Sequence, residues 1–235
     1  MKISLIIPMY NESKIIKDTA NELHRYMSEN FEDYEILFSN DGSKDTSAAD
    51  VASLNLPNTR VVGYEVNRGK GRAIREGVMQ AGGDIIMFTD ADLAYGTDVI
   101  RRAYDYFEQT PGTHMLIGSR NLDKDGYAGY TTLRKLMSKL YIRILCFVGG
   151  FKLSDSQCGC KAFDGKAAKD IFSRCTVDGF AFDFEAILFA GKLGYKISEM
   201  PVKVINHRES TVRIFKDTVK MLSDLRRIKK KVKNA

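Results

Sequence analysis

The chain has no tryptophan, only four prolines and only four cysteines in 235 residues. Four thiols over this length do not make a disulfide framework. Cys146, Cys158, Cys160 and Cys175 form no C-x-x-C pair, and Cys158-Gly159-Cys160 is too tight for ordinary zinc spacing. Reduced thiols in or near a core are expected. Long apolar runs are missing too. The longest, Leu140 to Phe151, is interrupted by Arg143 and falls short of the ~20 residues that a spanning helix needs. No charged-then-apolar leader pattern precedes Ile3, so the expectation is no secretory signal. The chain reads as cytoplasmic, at most peripheral on the cytoplasmic membrane face. Surplus charge is absent from most of the chain. From Lys216 onward eight basic residues face Asp217 and Asp224, which accounts for the whole net charge of +6. A neutral body with a basic tail disfavours a nucleic-acid partner.

What is present suits a folded enzyme-sized domain. At 44% hydrophobic and 28% charged the chain can bury a core, and its length favours one large domain. The first half alternates. Strand-like runs at Ile3–Pro8, Tyr34–Phe38, Arg60–Val66 and Asp84–Thr89 are separated by helical patterns through Ile15–Met27, Asp45–Leu54 and Gly71–Ala81. That alternation implies parallel βαβ units with helices covering the sheet. Further on, His114–Gly118, Cys158–Phe163 and Lys196–Val204 read as strands. Thr131–Val148 and Ala181–Leu193 read as helices, Asn121–Tyr130 as a polar loop, and Arg213–Val232 as a basic helix. A catalytic domain over residues 1–212 and a C-terminal helix over 213–235, part of or packed on it, is the expected division.

In parallel sheets ligands bind beyond the carboxyl ends of the strands, so the residues there carry the chemistry. Asp90-Ala91-Asp92 offers two carboxylates that can share a hard divalent cation, Mg²⁺ or Mn²⁺, with a substrate phosphate. A helix N-cap with a charged neighbour is the bland alternative. Asn40-Asp41-Gly42-Ser43 is either a capping turn or a place where Asp41 meets a base or ribose. Gly69-Lys70-Gly71 lacks the spacing of a P-loop or a dinucleotide fingerprint, yet a lysine at a helix start can meet a diphosphate.

Taken in order, Ile7-Pro8-Met9-Tyr10-Asn11-Glu12, Asn40 to Thr46, Asn67 to Gly71 and Asp90-Ala91-Asp92 resemble a family-2 glycosyltransferase of the GT-A fold. Gly118-Ser119-Arg120, Asp155 to Phe163 and Phe182-Asp183-Phe184-Glu185 resemble its polyprenyl-phosphate branch, dolichyl-phosphate glucosyltransferases above all. The resemblance implies an α/β, Rossmann-like, mostly parallel sheet flanked by helices. It also implies roles. Pro8, Tyr10, Asn11, Glu12 and Asp41 hold the nucleoside and Lys70 lies near the donor. Asp90, Ala91 and Asp92 take the donor ribose and the metal. Arg120 and the Asp155–Phe163 motif form the acceptor side, Asp183 is the catalytic carboxylate, and Arg208 and Ser210 contact phosphates. Ala94 and Glu209-Ser210-Thr211 depart from the family pattern, which removes one possible metal ligand and alters the late phosphate motif.

The expected reaction is inverting, metal-dependent transfer of a hexose from a nucleotide sugar, UDP favoured over GDP, to a polyprenyl phosphate. A lipid monophosphate is largely ionised near neutrality and needs no strong base. If the acceptor is instead a hydroxyl of a glycan or small molecule, Asp183 becomes the base. A third possibility is a non-catalytic basic protein at membranes. Ile214, Met221, Leu225, Ile228 and Val232 recur at helical spacing among lysines and arginines, so the C-terminal helix is expected at a membrane surface, unless its stripe packs on the domain.

Overall fold

A computed structural model describes residues 1–206 and 225–234. Seven strands form one sheet: β1 (Ile3–Met9), β2 (Tyr34–Asp41), β3 (Thr59–Tyr64), β4 (Ile85–Phe88), β5 (Met115–Ser119), β6 (Lys161–Asp164) and β7 (Ile197–Pro201). Their spatial order is β3-β2-β1-β4-β6-β5-β7. All neighbouring pairs are parallel except those made by β6, which runs against both β4 and β5. The chain winds outward from β1 through β2 to β3, then returns across β1 to start β4. The sheet's switch point therefore lies between β1 and β4, where a crevice opens beyond their carboxyl ends.

Period-two alternation divides the core between the two sheet faces. Leu5, Ile7, Ile36, Phe38 and Met87 pack under α1 (Ile16–Asn30), α2 (Ser47–Ser53) and α4 (Asp98–Gln109). Ile6, Leu37, Ile86, Phe88 and Ile117 pack under α3 (Lys70–Gln80), α6 (Gly165–Arg174) and α7 (Phe182–Lys192). The result is a three-layer α/β/α sandwich. Pro8 is tolerated in a central strand for a topological reason. Pairing of β1 with β4 stops at Ile6, whose carbonyl accepts from Thr89, so the ladder bond that Pro8 cannot make is not needed.

The helix α5 (Thr132–Gly149) is capped by the Thr131 hydroxyl and ends at Gly150 in a left-handed conformation (φ 76°), as expected for a C′ glycine. Of the C-terminal helix, residues 225–234 are described, and they correct the membrane expectation. Leu225, Ile228 and Val232 are buried in the core beneath α7. Lys192 Nζ donates to the carbonyls of Val232 and Lys233, Lys229 to that of Val148, and Lys231 to Glu185 Oε1 at 2.7 Å. The described part of the stripe is spent on the domain. Ile214 and Met221, with the rest of residues 207–224, lie outside the described residues. Among the described residues no helix is long and apolar enough to cross a membrane.

Candidate active site

Five segments meet at the switch point: the loops after β1, β2 and β4, the first turn of α3, and the first turn of α7. The first two loops are laced to each other. Asn11, in the left-handed region (φ 56°), donates its backbone N–H to Ser43 Oγ and accepts from the Lys44 N–H at 2.7 Å. The Glu12 N–H donates to Ser47 Oγ at 2.7 Å, and the Ser13 N–H to Asp45 Oδ2. Asp45 also receives the Ser47 N–H and hydroxyl. Burial pushes its carboxyl up, but the Ser47 and Ser13 hydrogen bonds outweigh that and bring it down to about 2. Pro8 is half-buried and Tyr10 exposed at the mouth of this double loop.

Asp41 takes a different part from the nucleoside contact expected of it. Its buried carboxylate accepts from the Tyr64 hydroxyl, Asn67 Nδ2 and the backbone N–H groups of Arg68 and Gly69, all within 3.0 Å. Those bonds fold the turn that delivers Lys70 to the first position of α3. Ala91 sits between the two acids. Its side chain is buried in the core and its carbonyl accepts from the Thr19 hydroxyl, so it spaces two acids apart.

Lys70 Nζ contacts Asp90 Oδ1 directly. Desolvation alone would lower the lysine's pKa, but Asp90, with Asp183 and Asp92 behind it, raises it. Asp92 accepts from the Ala94 N–H at 3.1 Å, and its carboxyl is pushed up by burial and by the Asp90 charge. Ala94 brings no side-chain ligand, and its carbonyl receives the Ile205 N–H at 2.8 Å, which ties the chain after β7 across the site. Asp183 begins α7 and is buried. Burial raises its carboxyl against the opposing pull of Lys161 and Lys70. Lys70, Asp90, Asp92 and Asp183 thus form one electrostatic cluster with Glu12 at its edge.

Two residues inside the Cys158–Phe163 run prove central although neither was singled out in sequence. Gly159 lies against Asp90: a Cβ there would stand 2.1 Å from Asp90 Oδ2. Lys161 is fully buried on β6, paired across the sheet with Phe88, and its Nζ lies 2.6 Å from Asp183 Oδ1 and 2.7 Å from the Cys158 carbonyl. A lysine inside an apolar strand is the signal that could have marked it. Arg120 is corrected as a residue at the reacting atoms. Its guanidinium is buried and forked on Asp155 at 2.6 and 3.0 Å, with the Tyr127 ring 5.2 Å away. It braces the segment around Asp155 together with Glu199, which accepts from Ser154 and Asp155. Arg208 and Ser210 lie outside the described residues.

Among the described residues no cluster of three or more metal-ligating side chains exists. Asp90 and Asp92 nonetheless suit a hard cation shared with a diphosphate. They supply two carboxylates whose mutual repulsion Lys70 answers only in part, and Mg²⁺ usually takes its other ligands from water and substrate oxygens.

Three carboxylates and a lysine, half-buried apart from the buried Asp183, thus gather at the switch point of a mixed α/β sheet that lacks the glycine spacing of a dehydrogenase or a P-loop. The Glycosyl transferase family 2 model matches residues 4–172, and the chain belongs to that family. Its relatives include a dolichyl-phosphate beta-glucosyltransferase of Trichomonas vaginalis, 32% identical over 96% of this chain and 72% of the relative. The namesake from Dictyostelium discoideum is 29% identical over 97% and 73%. Among solved structures, UDP-bound glucosyl-3-phosphoglycerate synthase of Mycobacterium tuberculosis shares the fold, with a TM-score of 0.71 at 18% identity over 97% of this chain and 80% of that one. The protein is a GT-A glycosyltransferase, and the non-catalytic alternative falls.

Proposed function

We propose that this enzyme moves a hexose, with inversion, from a uridine-diphosphate sugar to a polyprenyl phosphate. In this reading it works peripherally on the cytoplasmic face of a membrane. The observation that carries it is the Lys70–Asp90–Asp92–Asp183 cluster, set where a departing diphosphate can be met by charge. The dolichyl-phosphate beta-glucosyltransferases among its relatives support the lipid acceptor, and structures of the same fold holding UDP with Mn²⁺ or Mg²⁺ support the donor and the metal.

The chemistry follows from the placement. An acceptor phosphate oxygen bonds to the anomeric carbon as the bond from that carbon to the diphosphate oxygen breaks. Asp90 and Asp92 would hold the divalent ion, which supplies charge neutralisation to the diphosphate. Lys70, at the start of α3, adds its ammonium and the helix N-terminus to the same anion. Gly159 leaves the space in which Asp90 keeps its orientation. Asp183, fixed by Lys161, orients the acceptor; an ionised phosphate nucleophile has no proton for it to remove.

The raised carboxyl of Asp183 favours a second reading, in which it is the base for a hydroxyl acceptor. Turnover of UDP- and GDP-sugars with a short polyprenyl phosphate, with and without Mg²⁺ or Mn²⁺, tests the first. Product from a UDP-sugar only with metal is expected, and no product with any donor overturns it. Asp183→Asn separates the two, since a phosphate acceptor keeps most of its rate and a hydroxyl acceptor loses it.

A further inference from the structure

The helix α5 has two apolar faces, and only one is used. Ile142 and Leu145 are buried against the domain. On the other side Leu133, Leu136, Met137, Leu140 and Phe147 are exposed, at 70%, 63%, 37%, 51% and 89%, with Ile144 half-buried among them. At 3.6 residues per turn these six side chains fall within an arc of about 100°. Single exposed leucines are ordinary; a continuous stripe on one helix is not. Arg143 and, a turn before it, Lys139 are exposed along one edge of it, while Lys135 turns back to the domain; the Nζ atoms of Lys139 and Lys135 stand 5.9 and 5.7 Å from the Tyr127 ring centroid. From Thr131 to Lys152 the chain carries five basic residues and no acid. On the other edge stands Tyr141, whose enclosed hydroxyl has no hydrogen-bond partner and feels the Asp183 charge.

We propose that α5 is the element that docks this enzyme on the surface of an anionic lipid bilayer, with the apolar stripe entering the head-group layer and the cationic edge meeting lipid phosphates. Charge complementarity selects this occupant, because a stripe rimmed by cations alone repels a second copy of itself but suits anionic lipid. The inner flank of α5 packs against α7, the helix that carries Asp183, so a lipid phosphate taken from the bilayer would enter the site on that side. That purpose rests on the lipid-acceptor reading; the docking itself does not.

The absence of tryptophan supplies a clean reporter. Full-length Leu140→Trp is titrated with vesicles of phosphatidylcholine alone or mixed with phosphatidylglycerol, without donor or acceptor. A blue shift of emission with the anionic vesicles, weak with the neutral ones and reversed by salt, is expected. Adding Lys139→Gln and Arg143→Gln weakens binding about twenty-five-fold, at about fivefold per charge removed, with circular dichroism unchanged. Emission unmoved by vesicles overturns the proposal. Emission already blue-shifted in buffer also overturns it, and sedimentation then tells a second copy from the chain's own cover. Vesicle binding without glycosyl transfer to polyprenyl phosphate keeps the surface and discards the acceptor; transfer to a short soluble acceptor without vesicle binding does the reverse.

Discussion

Lys161 and Asp183 meet 2.6 Å apart, with the lysine side chain wholly buried and the carboxylate nearly so. Burying either charge alone is costly, and the contact joins the middle of the sheet to the first turn of the last catalytic helix. The pair fixes where Asp183 stands and keeps its carboxylate usable despite burial.

Lys161→Met therefore leaves Asp183 buried without its main cation. Stability falls by about 3–5 kcal/mol, the usual cost of breaking a buried pair from one side. Burial already raises the Asp183 carboxyl, and loss of the opposing Lys161 charge raises it further. Where the carboxylate is the working form, the acidic limb of the pH profile of kcat/KM moves to higher pH. With a phosphate acceptor the limb stays in place and the positioning role shows as a raised KM for the acceptor; an unmoved limb together with an unmoved acceptor KM refutes it.

Gly159→Ala puts a methyl group where Asp90 Oδ2 now lies, at 2.1 Å, so the carboxylate must turn away from Lys70. A displacement near 1 Å at reacting groups costs on the order of a hundredfold in rate. Gly179→Ala, with nothing within 4 Å, serves as the control and keeps activity. Donor kinetics and circular dichroism of both variants decide the matter.

Asp45 latches the first two loops, and its folded pKa of about 2 lies below the ordinary 3.8. A depressed carboxyl stabilises the fold above the ordinary value, and that contribution disappears as pH falls from 3.8 through about 2. Asp45→Asn removes this part of the pH dependence, which acid unfolding curves followed by fluorescence of the tyrosines will show. Ser47→Ala also strips the Glu12 N–H of its acceptor and costs about 1–3 kcal/mol.

Ile228→Ala tests whether the C-terminal helix belongs to the core. The side chain is 2% exposed, and truncating a buried isoleucine costs about 2–5 kcal/mol. A thermal midpoint equal to that of the parent chain would mean that the helix detaches from the domain in solution.

Much of the first half was legible in sequence because each apolar strand run is short and ends in polar residues. The expected strand at Ile3–Pro8 forms as Ile3–Met9, and the helix at Gly71–Ala81 as Lys70–Gln80. No element was read between Asp92 and His114, where α4 forms, nor at α6. Both nonetheless carry the helical period, through Val99, Ile100, Ala103 and Phe107 in α4 and Ala167, Ala168, Ile171 and Phe172 in α6. The paired acids Asp90 and Asp92 were legible as candidates because they follow a strand, whereas Asp183 stands in the first turn of a helix. Lys161 left only the trace of a lysine between apolar neighbours, because its partner Asp183 stands on a different element.

By itself the sequence determined the alternation of strands and helices, the polar strand ends and the family they belong to, because periodicity and turn chemistry are local. Only the tertiary structure decided that β6 runs against its neighbours, that Asp41 and Arg120 are spent inside the protein, and that α5 rather than residues 225–234 presents an open apolar face. Alternation says that a side chain is buried or exposed, but the partner, the direction and the charge waiting across the sheet are set by contacts between residues far apart in the chain.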